Sequence, residues 1–210
     1  ACIQRIPPTD RAAVGILLTM SEDVDVIVPR GGRGLIERIQ RESRIPVFSH
    51  LDGMVHTYVH SAADPEMARK VVVNAKMRRT GICGATETLL VDAALAERLL
   101  PKLLEDLAAA DCAIRGDETV RRIMPEAEAA TPEDWDTEYL APIIAVKVVD
   151  GLEEAVAHIN AHGSHHTEAI ITEDDASAAR FMNEVDAGIV MHNTSTQFAD
   201  GGEFGMGAEI

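Results

Sequence analysis

The amino-acid sequence predicts an α/β protein, with mostly parallel sheets flanked by helices. Three observations carry that expectation. Short apolar, β-branched runs such as Val24-Asp25-Val26-Ile27-Val28 and Ile143-Ile144-Ala145-Val146-Lys147-Val148-Val149 recur between stretches of helical spacing. Strand and helix patterns alternate along nearly the whole chain instead of falling into separate blocks. The chain has 210 residues, 46% of them hydrophobic, enough to fill the core of one large α/β domain or two small ones.

In order, residues 2–6 read as a short strand, and Pro7-Pro8 then Thr9-Asp10 as the start and cap of a helix running to Leu18. A buried strand over 24–28 ends at Pro29-Arg30-Gly31-Gly32-Arg33-Gly34, and helical spacing resumes over 35–41. Strand, glycine turn and helix make half of a nucleotide-binding βαβ unit. A strand over 45–48 follows, then strand-like alternation over 55–60 and a helix over 65–77. Residues 88–91 read as a buried strand, and 93–110 as a long amphipathic helix broken only by Pro101. An acidic, turn-rich stretch over 125–138 leads into a strand over 143–149 and a helix over 152–161. After a polar loop over 163–167 come a strand over 168–172, a helix over 176–184 and a strand over 187–192. Only the latter half of a βαβ unit precedes the cysteine region, and the glycine-rich close over 201–210 has no terminal element to pack it. The sequence therefore reads as trimmed at both ends.

The formal charge of -16 and a pI near 4.8 repel phosphate backbones, and no basic stripe longer than 76–79 opposes that field, so no nucleic-acid partner is expected. Aromatic residues, at 3%, are too few for stacking platforms and favour a small aliphatic or charged substrate. No apolar run approaches the ~20 residues that cross a bilayer, and the start lacks the layout of a signal peptide, so no membrane partner and a cytoplasmic location are expected. Cys2, Cys83 and Cys112 are odd in number and widely spaced, which suits neither a disulfide framework nor a zinc site.

Cys83 lies in Arg78-Arg79-Thr80-Gly81-Ile82-Cys83-Gly84-Ala85, between a predicted helix and a predicted strand. Small neighbours let a carbonyl approach the sulfur, and nearby cations favour the thiolate, so Cys83 is a candidate nucleophile. By spacing alone, a lone cysteine is more often a small buried hydrophobe than a catalyst. The 29–34 turn offers backbone amides and guanidinium groups suited to phosphate, or merely a tight turn. His158, His162, His165 and His166 cluster, but the first two sit at i, i+4 on an amphipathic helix without a firm carboxylate partner, so no metal is expected. His50, after a strand and before the Asp52-Gly53 turn, is the histidine placed to pair with a cysteine.

Taken together, these segments resemble the γ-glutamyl phosphate reductase family of the aldehyde dehydrogenase superfamily. The matching stretches are 7–11, Val28-Pro29-Arg30-Gly31-Gly32-Arg33-Gly34-Leu35-Ile36, His50-Leu51-Asp52-Gly53, Asn74-Ala75-Lys76, Cys83 with Glu87-Thr88-Leu89-Leu90-Val91, Asp134 to Leu140, His158-Ile159-Asn160 and Gly201-Gly202-Glu203-Phe204-Gly205. They run in the family's order across nearly the whole chain. The resemblance implies an aldehyde dehydrogenase-like fold: residues 1–45 the latter part of an NADP-binding domain, 46–192 the catalytic domain, and 193–210 a return segment toward the cofactor domain. It implies NADPH-dependent reduction of L-glutamate 5-phosphate to L-glutamate 5-semialdehyde in proline biosynthesis, through a thioester on Cys83. Arg30, Gly31 and Gly32 fall where the superfamily holds the cofactor's phosphates, and Glu138 where it binds the nicotinamide ribose. Asn193, Glu203 and Phe204 match segments near the substrate end of the pocket. Where hydrolytic relatives carry a water-activating glutamate, this chain reads His50-Leu51-Asp52-Gly53, which favours keeping the thioester from water and leaves His50 a packing residue or an acid. The family also carries an N-terminal stretch with an oxyanion-binding asparagine and a C-terminal oligomerising extension, so a homo-oligomer is expected of the full-length protein. A CoA-linked dehydrogenase of the same superfamily and a non-catalytic domain are the alternatives.

Overall fold

The computed structural model describes residue 3 and residues 5–6, 12–49 and 52–207, with Arg33 described by its backbone alone. Cys2, the Thr9-Asp10 cap and His50 lie outside the described residues, and Ile3, Arg5 and Ile6 carry no strand. The chain divides into two compact units, Ala1–Leu51 with Ile210, and Asp52–Glu209.

In the first unit, helix α1 spans Ala12–Leu17 and helix α2 spans Arg33–Glu42. Leu18, Ile36, Ile39 and Ile45 are buried in it. The strands expected over 24–28 and 45–48 reduce to a single parallel bridge between Ile27 and Val47. An apolar run becomes a strand only where a ladder forms along it, and here Val26 and Phe48 stay 40% and 70% exposed.

The second unit is built on strands β1 (His56–Val59), β2 (Thr88–Asp92), β3 (Ala113–Gly116), β4 (Glu128–Ala129), β5 (Ile143–Val149), β6 (Thr167–Ile171) and β7 (Ile189–His192). They form one sheet in the order β4-β3-β5-β2-β1-β6-β7, and every pairing is parallel. Helices α3 (Pro65–Met77), α4 (Leu100–Ala109), α5 (Glu118–Ile123), α6 (Gly151–His162) and α7 (Asp175–Glu184) make the crossovers. Asp64 starts α3 as an N-cap, its carboxylate accepting from the Met67 N–H at 2.7 Å, and Pro65 occupies the first turn, where a missing N–H costs nothing.

The two-residue period of the strands sends side chains to opposite faces. On one face Val59, Leu89, Val91, Ile144 and Ile171 pack with Val72 of α3 and Leu100, Leu103, Leu104 and Leu107 of α4. On the other, Tyr58, Leu90 and Ile170 pack with Ile159 of α6 and Phe181 of α7. With helices on both faces, β1, β2 and β6 are buried throughout, so the alternation expected over 55–60 gives way to continuous burial.

The helix expected over 93–110 is interrupted. Ala93–Leu95 is a 3₁₀ turn capped by Asp92, and α4 begins at Leu100 with Pro101 in its first turn. A proline that would break a helix interior is tolerated at a helix start. The acidic stretch over 125–138 also holds more order than expected. It contributes β4 and a 3₁₀ turn, Pro132–Asp136, closed by a Thr131/Asp134 capping box.

Candidate active site

The loops that feed the N-terminal ends of three neighbouring strands, β1, β2 and β5, bring Gly53, Cys83 and Glu138 together. The Gly53 N–H donates to Glu138 Oε1 at 2.9 Å. A β-carbon on Gly53 would stand 2.8 Å from the Cys83 Cα, so this glycine is what lets the two backbones touch. On the far side, a β-carbon on Gly84 would lie 3.1 Å from the Thr196 carbonyl oxygen. Cys83, half-buried, is thus held between the Gly53 turn and the 3₁₀ turn Thr196–Phe198. Parallel α/β sheets usually present ligands at the carboxyl ends of their strands. This group sits at the amino ends.

Polar contacts lock the loop that carries Cys83. The Thr86 hydroxyl meets those of Thr57 at 2.7 Å and Thr196 at 3.1 Å. Gln197 Nε2 donates to the Ala75 carbonyl at 2.8 Å, and the Thr86 N–H reaches the same carbonyl. Below lies a fully buried ion pair, Lys76 Nζ to Glu87 Oε2 at 2.6 Å. Burial pushes the Glu87 carboxyl up, with the Lys76 ammonium pulling the other way. Glu87 Oε1 accepts from the Leu140 N–H at 3.4 Å, tying the pair to the segment that carries Glu138. Tyr139 anchors that segment by donating to Asp134 Oδ1 at 2.8 Å, and the Arg115 guanidinium pairs with the same carboxylate.

Beside Ile82, the chain neighbour of Cys83, opens a cavity of about 390 Å³ lined by Arg78, Arg79, Gln197, Asp200 and Glu203. Arg78 pairs with Glu203 and lies 5.0 Å from the centre of the Phe198 ring. Phe204, next in the chain, is 53% exposed. Asn193 is placed differently. At φ 55°, its Oδ1 accepts from the Thr172 N–H and its Nδ2 donates to the Thr172 carbonyl, each at 2.9 Å. It borders a separate cavity of about 240 Å³ with Lys70, Asn74 and Phe198.

Arg30, Gly31 and Gly32 belong to the first unit. Gly32 caps α2 with no side-chain bond, and nothing stands within 4 Å of a β-carbon built on it. First-turn amides under open space, with Arg30 nearby in the chain, fit the phosphates of a dinucleotide. A cavity of about 340 Å³ lined by Val14, Val26, Ile27, Pro29, Arg30 and Leu35 opens beside this turn. In the second unit, the Glu138 carboxylate has one oxygen engaged by Gly53.

The clustered histidines do not converge on one site: His158 and His162 stay in ring contact, and His165 bonds elsewhere. His158 is buried, its ring 4.5 Å from that of His162, and burial pushes it down to about 3. His162 meets Asp136 at 2.8 Å, and His165 Nδ1 the Asp186 carbonyl at 2.7 Å. Among the described residues, no group of three or more His, Cys, Asp or Glu is arranged to hold a metal ion. Nor is any described helix long and apolar enough to cross a membrane.

Sequence reasoning missed Lys76, Glu87 and Gln197. A signal for Lys76 existed: with Ala68, Val72 and Ala75 it falls on the buried stripe of α3, where an ammonium requires a buried partner.

Residues 128–207 match the aldehyde dehydrogenase family. A γ-glutamyl phosphate reductase from Rhodospirillum rubrum is 62% identical over 99% of this chain and 49% of its own length. The crystal structure of γ-glutamyl phosphate reductase from Thermotoga maritima superposes with a TM-score of 0.95 at 42% identity, over 97% of this chain and 49% of that one. An acetylating aldehyde dehydrogenase from Geobacillus thermoglucosidasius shares the fold, with a TM-score of 0.69 at 22% identity over 96% of this chain and 52% of that one. The fold is aldehyde dehydrogenase-like, and the resemblance to the γ-glutamyl phosphate reductases holds over nearly the whole chain. The chain spans about half the length of the curated relatives it matches.

Proposed function

We propose, from a chain alike end to end to half of a γ-glutamyl phosphate reductase, that the full-length protein reduces L-glutamate 5-phosphate to L-glutamate 5-semialdehyde and phosphate in proline biosynthesis. The observation that carries this is the 62% identity with the Rhodospirillum rubrum reductase over 99% of the chain. Cys83 is the nucleophile. Its thiolate adds to the acyl carbonyl, the C–O bond to phosphate breaks with its electron pair leaving on phosphate, and a thioester remains on Sγ. NADPH, when bound, supplies the hydride that brings the thioester to the aldehyde level. Departure of the aldehyde returns the electron pair to Sγ.

The surrounding residues position rather than react. Gly53 and Gly84 leave the thiol's backbone clamped between two turns, which suits a near-attack geometry. Arg30 and the amides after Gly32 are the proposed hold on the cofactor's phosphates, and Glu138, with its second oxygen, on the nicotinamide ribose. Glu203 and Phe204 border the substrate end.

The test is reduction of NADP by the semialdehyde in full-length protein, with and without inorganic phosphate. Phosphate-dependent turnover that disappears in Cys83→Ser is expected. A rate that persists in that variant sinks the mechanism, and acceleration by coenzyme A in place of phosphate would move the assignment to a CoA-linked enzyme.

A further inference from the structure

We infer that the cavity beside Ile82 is the receptor for the amino-acid head of the substrate, with Arg79 taking the α-carboxylate and the Asp200 and Glu203 carboxylates taking the α-ammonium. This rests on the proposed reaction for its substrate, but the cavity's own chemistry selects the ligand.

Two guanidinium groups and two carboxylates line the same space of about 390 Å³. Their formal charges cancel. A phosphate dianion placed there would meet Asp200 and Glu203 as well as the arginines, whereas a zwitterion presents one charge of each sign to each pair. The two arginines are not equivalent. Arg78 is engaged twice, by the Glu203 carboxylate and by the face of the Phe198 ring. Arg79 has neither a hydrogen bond nor an ion pair with any described residue, and it is exposed at the cavity wall. A planar guanidinium held only by its own backbone is available for the bidentate grip that a carboxylate accepts.

The carboxylates are set by local structure. Asp200 Oδ1 accepts from the Gly202 N–H at 2.7 Å, which fixes the turn, and Arg78 orients Glu203. The floor is Gln197, 4% exposed, whose Nε2 is committed to the Ala75 carbonyl at 2.8 Å. Cys83 follows Ile82 directly, about 3.8 Å along the chain. The two methylenes that lie between the reacting carbonyl of a γ-glutamyl group and its α-carbon suit a receptor one residue along the chain from the thiol. Arg78 is therefore a positioning residue, and Arg79, Asp200 and Glu203 are the groups that select the substrate.

Binding to the full-length protein, measured by calorimetry and by slowed alkylation of Cys83, compares three probes. L-glutamate carries both head groups, 4-aminobutyrate lacks the α-carboxylate, and glutarate lacks the α-ammonium. The expected result is L-glutamate at least tenfold tighter than either analogue. Arg79→Ala should erase the advantage over 4-aminobutyrate, and Asp200→Asn with Glu203→Gln the advantage over glutarate. Equal binding of the three probes overturns the inference, as does a preference indifferent to Arg79, or protection by inorganic phosphate that depends on Arg79 while the amino-acid probes do nothing. Absence of phosphate-dependent turnover alongside Arg79-dependent glutamate binding would sink the reductase reading and leave the head-group receptor standing.

Discussion

A β-carbon on Gly53 would meet the Cys83 backbone, which has no flexible side chain to move aside. Gly53→Ala must therefore part the two turns. Overpacking of this kind costs about 1–3 kcal/mol, and thermal unfolding should show it together with a large loss of turnover in the full-length protein. A variant with unchanged melting and unchanged rate would mean that the contact between the turns is dispensable. The two described cysteines separate by environment. Burial pushes the Cys112 thiol up to about 11, so iodoacetamide at neutral pH should label Cys83 well before Cys112, as peptide mass resolves. At this scale the glycines around Cys83 are legible in the sequence, because small residues beside a thiol announce access. Gly53 is legible only as a turn. Its reason for being glycine lies across the fold, on a backbone thirty positions away in the chain.

Helix α3 and the residue that leads into strand β2 are joined under the site by Lys76 and Glu87. Removing one member strands the other, so Lys76→Met should cost about 3–5 kcal/mol, and the double change Lys76→Met with Glu87→Leu much less. Urea unfolding of the three proteins measures both. A double variant destabilised by more than Lys76→Met alone would show that the stranded Glu87 charge is not what the single change costs. The elements themselves were largely legible: α3 lies at 65–77 and β5 at 143–149, where periodicity put them. Two kinds of signal misled. Pro101 was read as a flaw within a helix and is the start of one, since a missing N–H is neutral only in the first turn. The runs over 24–28 and 45–48 had strand composition but only one bridge between them, because a ladder depends on partners that local sequence does not name. For the same reason the order β4-β3-β5-β2-β1-β6-β7 was beyond reach, and with it the fact that Gly53, Cys83 and Glu138 meet at the amino ends of adjacent strands.

Across the molecule, pH acts through opposing buried groups. The ring of His158 sits 5.5 Å from those of His56 and Trp135, and burial, helped by His56, Lys147 and His162, pushes it down from 6.5 to about 3. Between those values the unfolded chain binds a proton that the folded one does not, so this histidine's contribution is full above pH 6.5 and is lost as pH falls toward 3. Glu87 and Glu168 work the other way. Burial raises both carboxyls, so their folded forms hold protons more tightly and gain stability as pH falls. Relief of repulsion as the net charge of -16 is titrated also favours the folded state, in any variant alike. The His158 effect therefore shows in a difference. With a slope of about 1.4 kcal/mol per pH unit, the stability of the native protein relative to His158→Gln should fall by about 2–3 kcal/mol from pH 6.5 to pH 4.5. Denaturant unfolding at each pH, with unchanged m-values, measures it. A difference that stays flat would mean that His158 takes up its proton inside the fold.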